Sequence, residues 1–321
     1  MHKPLTALFA AAALAVSSLA SAQAYPSKTI KIIVPFSVGG IADTFGRVIA
    51  QKLSETWGHP VVVENKGGAG GNIGADLVAK SPPDGYTLVI GNIGTHAVNP
   101  FLVKNMPFDP LKDFVPIAHV LDAEGLLVVN PDLPVKTVSE LIAYGKANPG
   151  KLSYASAGLG TTSHLAGELF KSMSGIDMVH VPYKGNSPAI TDVMGGQVQL
   201  IFATMPTVIQ QAKSGRLRMV ATLGNARAKA TPDVPTISET LPGFEVANWI
   251  GMFAPAGTPR EITDRLNAEI QKIMRAPDVE ARLETEGAKF IPTTPESFAA
   301  FQKSESAKWA AAIKAAGIKQ E

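Results

Sequence analysis

At 321 residues the chain is long enough for about two domains. Its 29 basic and 27 acidic residues leave a net charge of +2, too near neutrality for the basic surface that a nucleic-acid binder uses against phosphates. The absence of cysteine excludes disulfides, thiol catalysis and Cys-ligated metals.

Residues 1–24 read as a secretory signal peptide. Met1-His2-Lys3 is a short basic start, Leu5 to Leu19 an Ala/Leu-rich run, and Ala22-Gln23-Ala24 a small-x-small cleavage site. Cleavage is predicted between Ala24 and Tyr25, which places the mature chain outside the cytoplasm; an uncleaved membrane anchor is the alternative. No other stretch is long and apolar enough to cross a bilayer.

Ile30, Ile32, Ile33 and Val34 form a β-branched run typical of a strand buried on both faces. Pro35 ends it, Gly39-Gly40 allows a tight turn, and Ile41, Phe45, Val48, Ile49 and Leu53 follow at helical spacing. A helix N-terminus after a Gly-rich turn offers free N–H groups and the positive end of a dipole, an anion site. The bland reading is a plain strand-to-helix turn. Asp43, in the first turn of that helix, either complements the dipole or meets a ligand amine or hydroxyl.

Strands follow at Pro60–Glu64 and Thr87–Ile90, separated by the glycine-rich loop Asn65–Gly74 and a short helix through Lys80. This β-α-β-α-β order implies a parallel sheet with right-handed crossovers. The glycine-rich loop misses the G-x-G-x-x-G dinucleotide spacing by one residue, although a looser G-x-G-x-x-x-G fits. No acidic residue lies between Leu88 and Asn92, where a ribose partner belongs. Phe114–Leu121 and Leu126–Asn130 read as strands, the first leaving one domain and the second entering another.

Thr137-x-x-Glu140 is a capping box for a helix through Asn148. Tyr154–Ala157 is a strand that runs into the small, hydroxyl-rich turn Gly158–Ser163, followed by a helix with Leu165, Leu169 and Met173 on its buried face. Met178–Val181 is a strand, Ser187-Pro188 caps a helix ended by Gly195-Gly196, and Val198–Phe202, Pro206–Ser214 and Leu217–Leu223 read as strand, helix, strand. Trp249–Ala254 is an apolar strand that crosses back. Thr258-Pro259-Arg260-Glu261 combines an N-cap, Pro at the first helical position and a capping-box Glu. The helices that run from there to the C-terminus lack a large core of their own and are expected to pack on the N-terminal sheet. Domain 1 is therefore expected at residues 25–122 and 249–321, and domain 2 at 123–248.

The two strand-to-helix turns Pro35–Asp43 and Ser156–Ser163 fall one in each domain, so facing domains would hold an anion between two helix N-termini. Thr161, Thr162 and Ser163 add hydroxyls, which taken singly read as ordinary cap and turn residues. There is no G-x-S-x-G, Walker A or H-E-x-x-H motif, and the six histidines show no metal-ligand spacing. Neither a metal nor a cofactor is expected. Ser163 and His164 are adjacent, and adjacent residues point around a helix rather than at each other.

Taken together, an ordered series of motifs resembles the Bug family, periplasmic solute-binding proteins of tripartite tricarboxylate transporters. The series is Val34-Pro35-Phe36-x-x-Gly39-Gly40-x-x-Asp43-x-x-x-Arg47, Glu64-Asn65-x-x-Gly68-Ala69-Gly70-Gly71, Pro83-Asp84-Gly85-Tyr86-Thr87-Leu88, Ser156-x-Gly158-x-Gly160-Thr161 with His164-Leu165-Ala166-Gly167-Glu168, His180-Val181-Pro182-Tyr183-Lys184-Gly185, Asp233-Val234-Pro235-Thr236 and Ala254-Pro255-Ala256-Gly257-Thr258-Pro259. It spans essentially the whole mature chain.

The resemblance implies an α/β, type II periplasmic-binding-protein fold: two α/β domains, two crossover strands and a ligand cleft. It implies a small carboxylate held partly through ordered water. The residues it assigns to the ligand are Phe36, Ser37, Val38, Gly39, Gly40 and Asp43 on one side and Ser156, Gly160, Thr161 and Thr162 on the other, with Asn92 after the third strand. Many relatives carry an Asp after a Phe in the distal pocket, where this chain has Phe202-Ala203. Ala203 is accordingly expected to face the ligand and to leave no partner for an ammonium group. The implied activity is solute capture and delivery to a membrane permease or a sensor, by a monomer. An exported carboxylate-modifying hydrolase on the same fold is the alternative.

Overall fold

The computed structural model describes residues 25–246, 248–315 and Gln320. The expected signal peptide lies outside the described residues. From the expected mature N-terminus onward the chain is packed: the Tyr25 hydroxyl donates to the Gly85 carbonyl at 2.7 Å and its ring meets those of Trp57 and Tyr86. Among the described residues no helix is long and apolar enough to cross a membrane.

Two sheets form the frame. The first runs in the order β11-β4-β10-β3-β1-β2, from β1 (Ile30–Val34), β2 (Val61–Asn65), β3 (Thr87–Asn92), β4 (Phe114–Ala123), β10 (Asn248–Pro255) and β11 (Ala288–Lys289). The second runs β7-β6-β8-β5-β9, from β5 (Gly125–Val129), β6 (Leu152–Ser156), β7 (Met178–Pro182), β8 (Leu200–Thr204) and β9 (Arg218–Thr222). In each, parallel strands (β2-β1-β3; β7-β6-β8) meet one antiparallel strand that has crossed from the other lobe, β10 or β5. The composition of β1 suits its place. It pairs on both edges, and every residue except Lys31 is buried.

The helices are α1 (Ile41–Trp57), α2 (Asn72–Ala79), α3 (Val138–Ala147), α4 (Thr162–Ser174), α5 (Asn186–Met194), α6 (Met205–Lys213), α7 (Arg260–Met274), α8 (Pro277–Glu286) and α9 (Pro295–Ala315), with short helical turns at Gly94–Val98 and Asn99–Leu102. The three C-terminal helices lie on the first lobe. Helices α7 and α9 pack against β4, and α8 beside β11. Phe298, Trp309 and Ile313 are buried there, and Gln302 Nε2 donates to the carbonyls of His96 and Pro110 at 2.9 and 3.0 Å.

Two helix starts and one capping box differ from expectation. Helix α5 begins at Asn186 with Gly185 as its N-cap, not at Ser187-Pro188, because Gly185 at φ 134° turns the chain before the serine is reached. Pro259 is itself the N-cap of α7, and the Thr258 hydroxyl donates back to the Pro255 carbonyl. At α3 half the capping box forms as expected, Thr137 Oγ1 accepting from Glu140 N. The carboxylate, however, reaches past Thr137 to accept from Lys136 N at 2.6 Å.

The lobes are joined by β4→β5, through Glu124, and by the return from β9 to β10. Glu124 N donates to the Gly287 carbonyl and its carbonyl accepts from Met205 N, so the strap is bonded to both sides.

Candidate functional site

Four helices begin at one cavity between the lobes. Gly40, Ile41 and Ala42 bring the start of α1 to its wall, Thr161, Thr162 and Ser163 that of α4, Asn186 that of α5 and Thr204 that of α6. None of these four helices has a side-chain cap. First-turn N–H groups have no acceptor inside the helix, so the starts of α1, α4 and α5 bring unsatisfied donors to the cavity wall. At α6 Met205 N is bonded to the Glu124 carbonyl and Pro206 has no N–H, so that helix adds chiefly its dipole. The cavity measures about 50 Å³, several times what one water needs. No charged side chain lines it; Phe36, Ile41, Phe202 and Ile250 supply its apolar surface.

Amides add directed donors. Asn92 Oδ1 accepts from Thr95 N at 3.1 Å, and Asn248 Oδ1 accepts from the Thr162 hydroxyl at 2.8 Å. In both residues the carbonyl end is thereby occupied and the NH2 is left on the cavity wall. Asn186 Nδ2 donates to Thr204 Oγ1 at 3.4 Å, while its Oδ1 and the Ser37 hydroxyl are buried without partners. A buried polar atom without a partner is costly unless a ligand or water completes it.

Of the expected ligand residues, Phe36, Ser37, Gly40, Asn92, Thr161 and Thr162 line the cavity. Others lie elsewhere. Val38 is 61% exposed at the cleft edge, where its carbonyl accepts from Ser187 Oγ across the lobes. Gly39, at φ 85°, donates its N–H to Asp43 Oδ2. Asp43 is buried behind the loop and ties it together: it also accepts from Arg47 Nε and Asn65 Nδ2, and Asn65 Nδ2 in turn donates to the Phe36 carbonyl. Burial alone would raise the Asp43 pKa. The bonds from Arg47, the Gly39 N–H and Asn65 outweigh it and hold the carboxyl below its ordinary value. Asp43 thus shapes the loop that carries Ser37.

Ser156 is fully buried beneath the opposite loop, where its hydroxyl meets His180 Nε2 at 2.6 Å and accepts from Gly158 N. Gly160 packs against Asn99 of the other lobe. Ala203 is turned away: it packs among Leu126, Ile201 and Met205, and the alternation of β8 presents Phe202 and Thr204 to the cavity instead. The hydroxyls of the second turn are also committed. Thr161 donates to the Gly158 carbonyl, Ser163 accepts from Ala157 N and meets Thr161 Oγ1 at 3.0 Å, and Thr162 donates to Asn248. That turn therefore offers backbone N–H groups rather than hydroxyl protons. Ser163 and His164 do not bond to each other; His164 Nδ1 accepts from Gly160 N at 3.2 Å. No group of His, Asp or Glu among the described residues is arranged to hold a metal ion.

Sequence reasoning missed Asn186, Phe202, Thr204, Asn248 and Ile250 as wall residues. The signal that finds them is positional, since they stand at helix starts and at the ends of strands that point into the cleft.

Comparison with known proteins identifies the family and the fold. The protein BugT of Bordetella pertussis is 38% identical over 306 residues, which cover 95% of this chain and 94% of BugT. Among solved structures, Rpa4515 of Rhodopseudomonas palustris with adipate superposes with a TM-score of 0.90 at 36% identity, covering 92% of this chain and all of that one. MatC of the same organism, with bound malate, gives 0.87 at 33% identity, covering 90% of this chain and all of MatC. Residues 45–318 match the family described as tripartite tricarboxylate transporter family receptor. The chain belongs to that family of solute-binding proteins and shares its two-domain periplasmic-binding-protein fold.

Proposed function

We propose that this protein captures a small carboxylate that bears no amine and delivers it, unchanged, to a membrane permease of the tripartite tricarboxylate type. The observation that carries the reading is the convergence of four uncapped helix N-termini and the Asn92 and Asn248 amides on a cavity without a charged side chain. Such a wall stabilises a carboxylate by hydrogen bonds and dipoles. It offers no carboxylate to an ammonium group, because the nearby Asp43 is buried and bonded elsewhere. The relatives solved with adipate and malate support a dicarboxylate. The protein works as a monomer in the periplasm after cleavage between Ala24 and Tyr25, with domain 1 at 25–122 and 249–321 and domain 2 at 123–248.

The test is a thermal-shift screen of refolded, ligand-stripped protein against malate, adipate, citrate, benzoate, aspartate and lysine. A ligand at about 100 times its Kd adds roughly 2.7 kcal/mol of stability, a clear rise in Tm. The expected result is a rise with di- or tricarboxylates and none with lysine. Aspartate as the tightest ligand would overturn the no-amine reading, and silence from every carboxylate would overturn the function. Recovery of the bound acid unaltered after long incubation separates carriage from hydrolysis.

A further inference from the structure

Beside the cavity, and outside its wall, the two lobes touch backbone to backbone. Gly94, which follows β3, lies so close to the Gly160 carbonyl of the second lobe that a Cβ on it would sit 2.5 Å from that oxygen. A Cβ on Gly160 would run into the Asn99 amide, and one on Gly70, in the glycine-rich loop, into the carbonyl of Leu159. Gly158 faces Gly70 N at 3.3 Å from its own Cβ position. Between these surfaces lies Asn99, fully buried, with its amide 3.2 Å from the Gly94 carbonyl and 3.3 Å from that of Gly160. With its NH2 toward them it donates to both, and its oxygen then faces the side-chain amide of the buried Asn72 at 2.6 Å, a hydrogen bond that Asn72 makes by presenting its own NH2. None of these residues lines the cavity.

We propose that Gly94, Asn99 and the glycine-rich loop around Gly70 form a closing seat for the Leu159–Gly160 turn, and that this seat sets ligand affinity without touching the ligand. The physical case is direct. Parting the lobes exposes the Asn99 amide and removes its cross-lobe acceptor, whereas in the closed state both are satisfied and dry. The approach is close enough that only glycine fits, so a single methyl displaces the turn that carries the start of α4. Affinity falls in proportion to the closed fraction, because the apparent Kd is the intrinsic value divided by that fraction. The glycine-rich loop, which fails as a dinucleotide motif, thereby acquires a role. The affinity half of the proposal rests on the carboxylate reading; the geometric half does not.

The experiment uses Gly94→Ala and Asn99→Asp. Gly94 is not at a positive φ, so alanine adds no backbone strain; because its Cβ also comes within 3.2 Å of the cavity residue Asn92 Oδ1, the ligand-free cross-linking rate, not affinity alone, reads the seat. The Asn99→Asp variant keeps the side chain's shape and sets an oxygen against two carbonyls. Closure is read in ligand-free protein by the rate at which a short bismaleimide joins Val38→Cys to Ser187→Cys, residues whose backbone and side chain meet across the lobes at 2.9 Å. The chain has no cysteine of its own to interfere.

Each variant is expected to slow cross-linking and to weaken binding of malate or adipate, whichever the parent binds, by at least about tenfold. The ligand-free melting temperature of Gly94→Ala is expected to stay near the parent's, whereas that of Asn99→Asp, which buries a carboxylate against two carbonyls, is expected to fall together with cross-linking and affinity. Parental cross-linking and affinity in both variants would overturn the proposal. So would a lower ligand-free melting temperature with cross-linking and affinity intact, which marks a merely structural residue. If Gly94→Ala does not fold, Asn99→Asp decides. If the parent binds no carboxylate, the functional reading fails and the cross-linking rates still judge the seat.

Discussion

The β8 strand places two neighbouring residues in opposite worlds. Ala203 faces the core beside Leu126 and Ile201, and Thr204 faces the cavity as the N-cap of α6. Ala203→Asp therefore buries a carboxylate with no partner and is expected to cost on the order of 3–5 kcal/mol, read by urea denaturation. Thr204→Asp puts the same group at a helix N-cap, where it is favourable, so the fold is expected to hold. It also places a negative charge in the cavity. Carboxylate affinity should then fall by at least about tenfold, and an amine-bearing acid should gain relative to its parent, both read by calorimetric titration. Ala203, expected from the sequence to face the ligand, faces the core, and its neighbours Phe202 and Thr204 face the cavity. Composition shows no Asp near the end of β8, whereas the side of the strand on which each residue falls depends on register. The pairing of Ala203 with Leu126 and of Phe202 with Leu127 sets that register.

At the scale of elements, the turn between β6 and α4 hangs on two adjacent histidines. His164 Nδ1 accepts the Gly160 N–H and so must be unprotonated at that nitrogen, and its ring lies 4.4 Å from that of His180, which holds Ser156. Burial pushes both pKa values down to about 4, with Glu168 pulling them back up only in part. An unfolded histidine titrates near 6.5. Between these values the unfolded chain binds more protons, so stability falls as pH drops from about 6.5 toward 4. For His164, buried and 5% exposed, the loss approaches about 3 kcal/mol. Asp43 and Glu168, whose pKa values are lowered, add their losses only at more acidic pH. Urea denaturation at pH 7 and 4.5 should show the drop, and His164→Gln should reduce it, the remainder belonging to His180 and to the fully buried His96, whose pKa burial lowers to about 3; an unchanged slope in that variant would assign the whole loss to those two. Elements with strong periodicity, such as α1 and α4, stood out from the sequence. The start of α5 did not, because Ser-Pro is a good cap pair and the decisive Gly185 turn comes two residues earlier. That displacement is what hid Asn186 from the expected site.

For the whole molecule, the two lobes differ in how their sheets are assembled, and that difference bears on folding. Every strand of the second sheet, β5 to β9, comes from the continuous run 125–222. The first sheet is completed only from the far end of the chain: β10 lies between β3 and β4 and is the strand to which both pair, and α7 and α9 cover β4. The apolar run at Trp249–Ala254 and the coreless C-terminal helices signalled this return in the sequence. The inserted order β4-β10-β3 did not follow from pattern, because long-range pairing is set by tertiary packing. A fragment of residues 25–122 leaves β4 without its β10 partner and strips the buried Ile250, Met252 and Phe253 from the core. It is expected to show no cooperative melt. A fragment of residues 123–248 keeps all five of its strands with α3 to α6 and is expected to melt cooperatively, at a lower temperature than the full chain because the apolar surface under Trp249 and Phe298 is lost. Far-UV circular dichroism of the two fragments checks both expectations. Folding by the N-terminal fragment alone would place the boundary elsewhere, since a sheet able to close without β10 has no need of the return crossover.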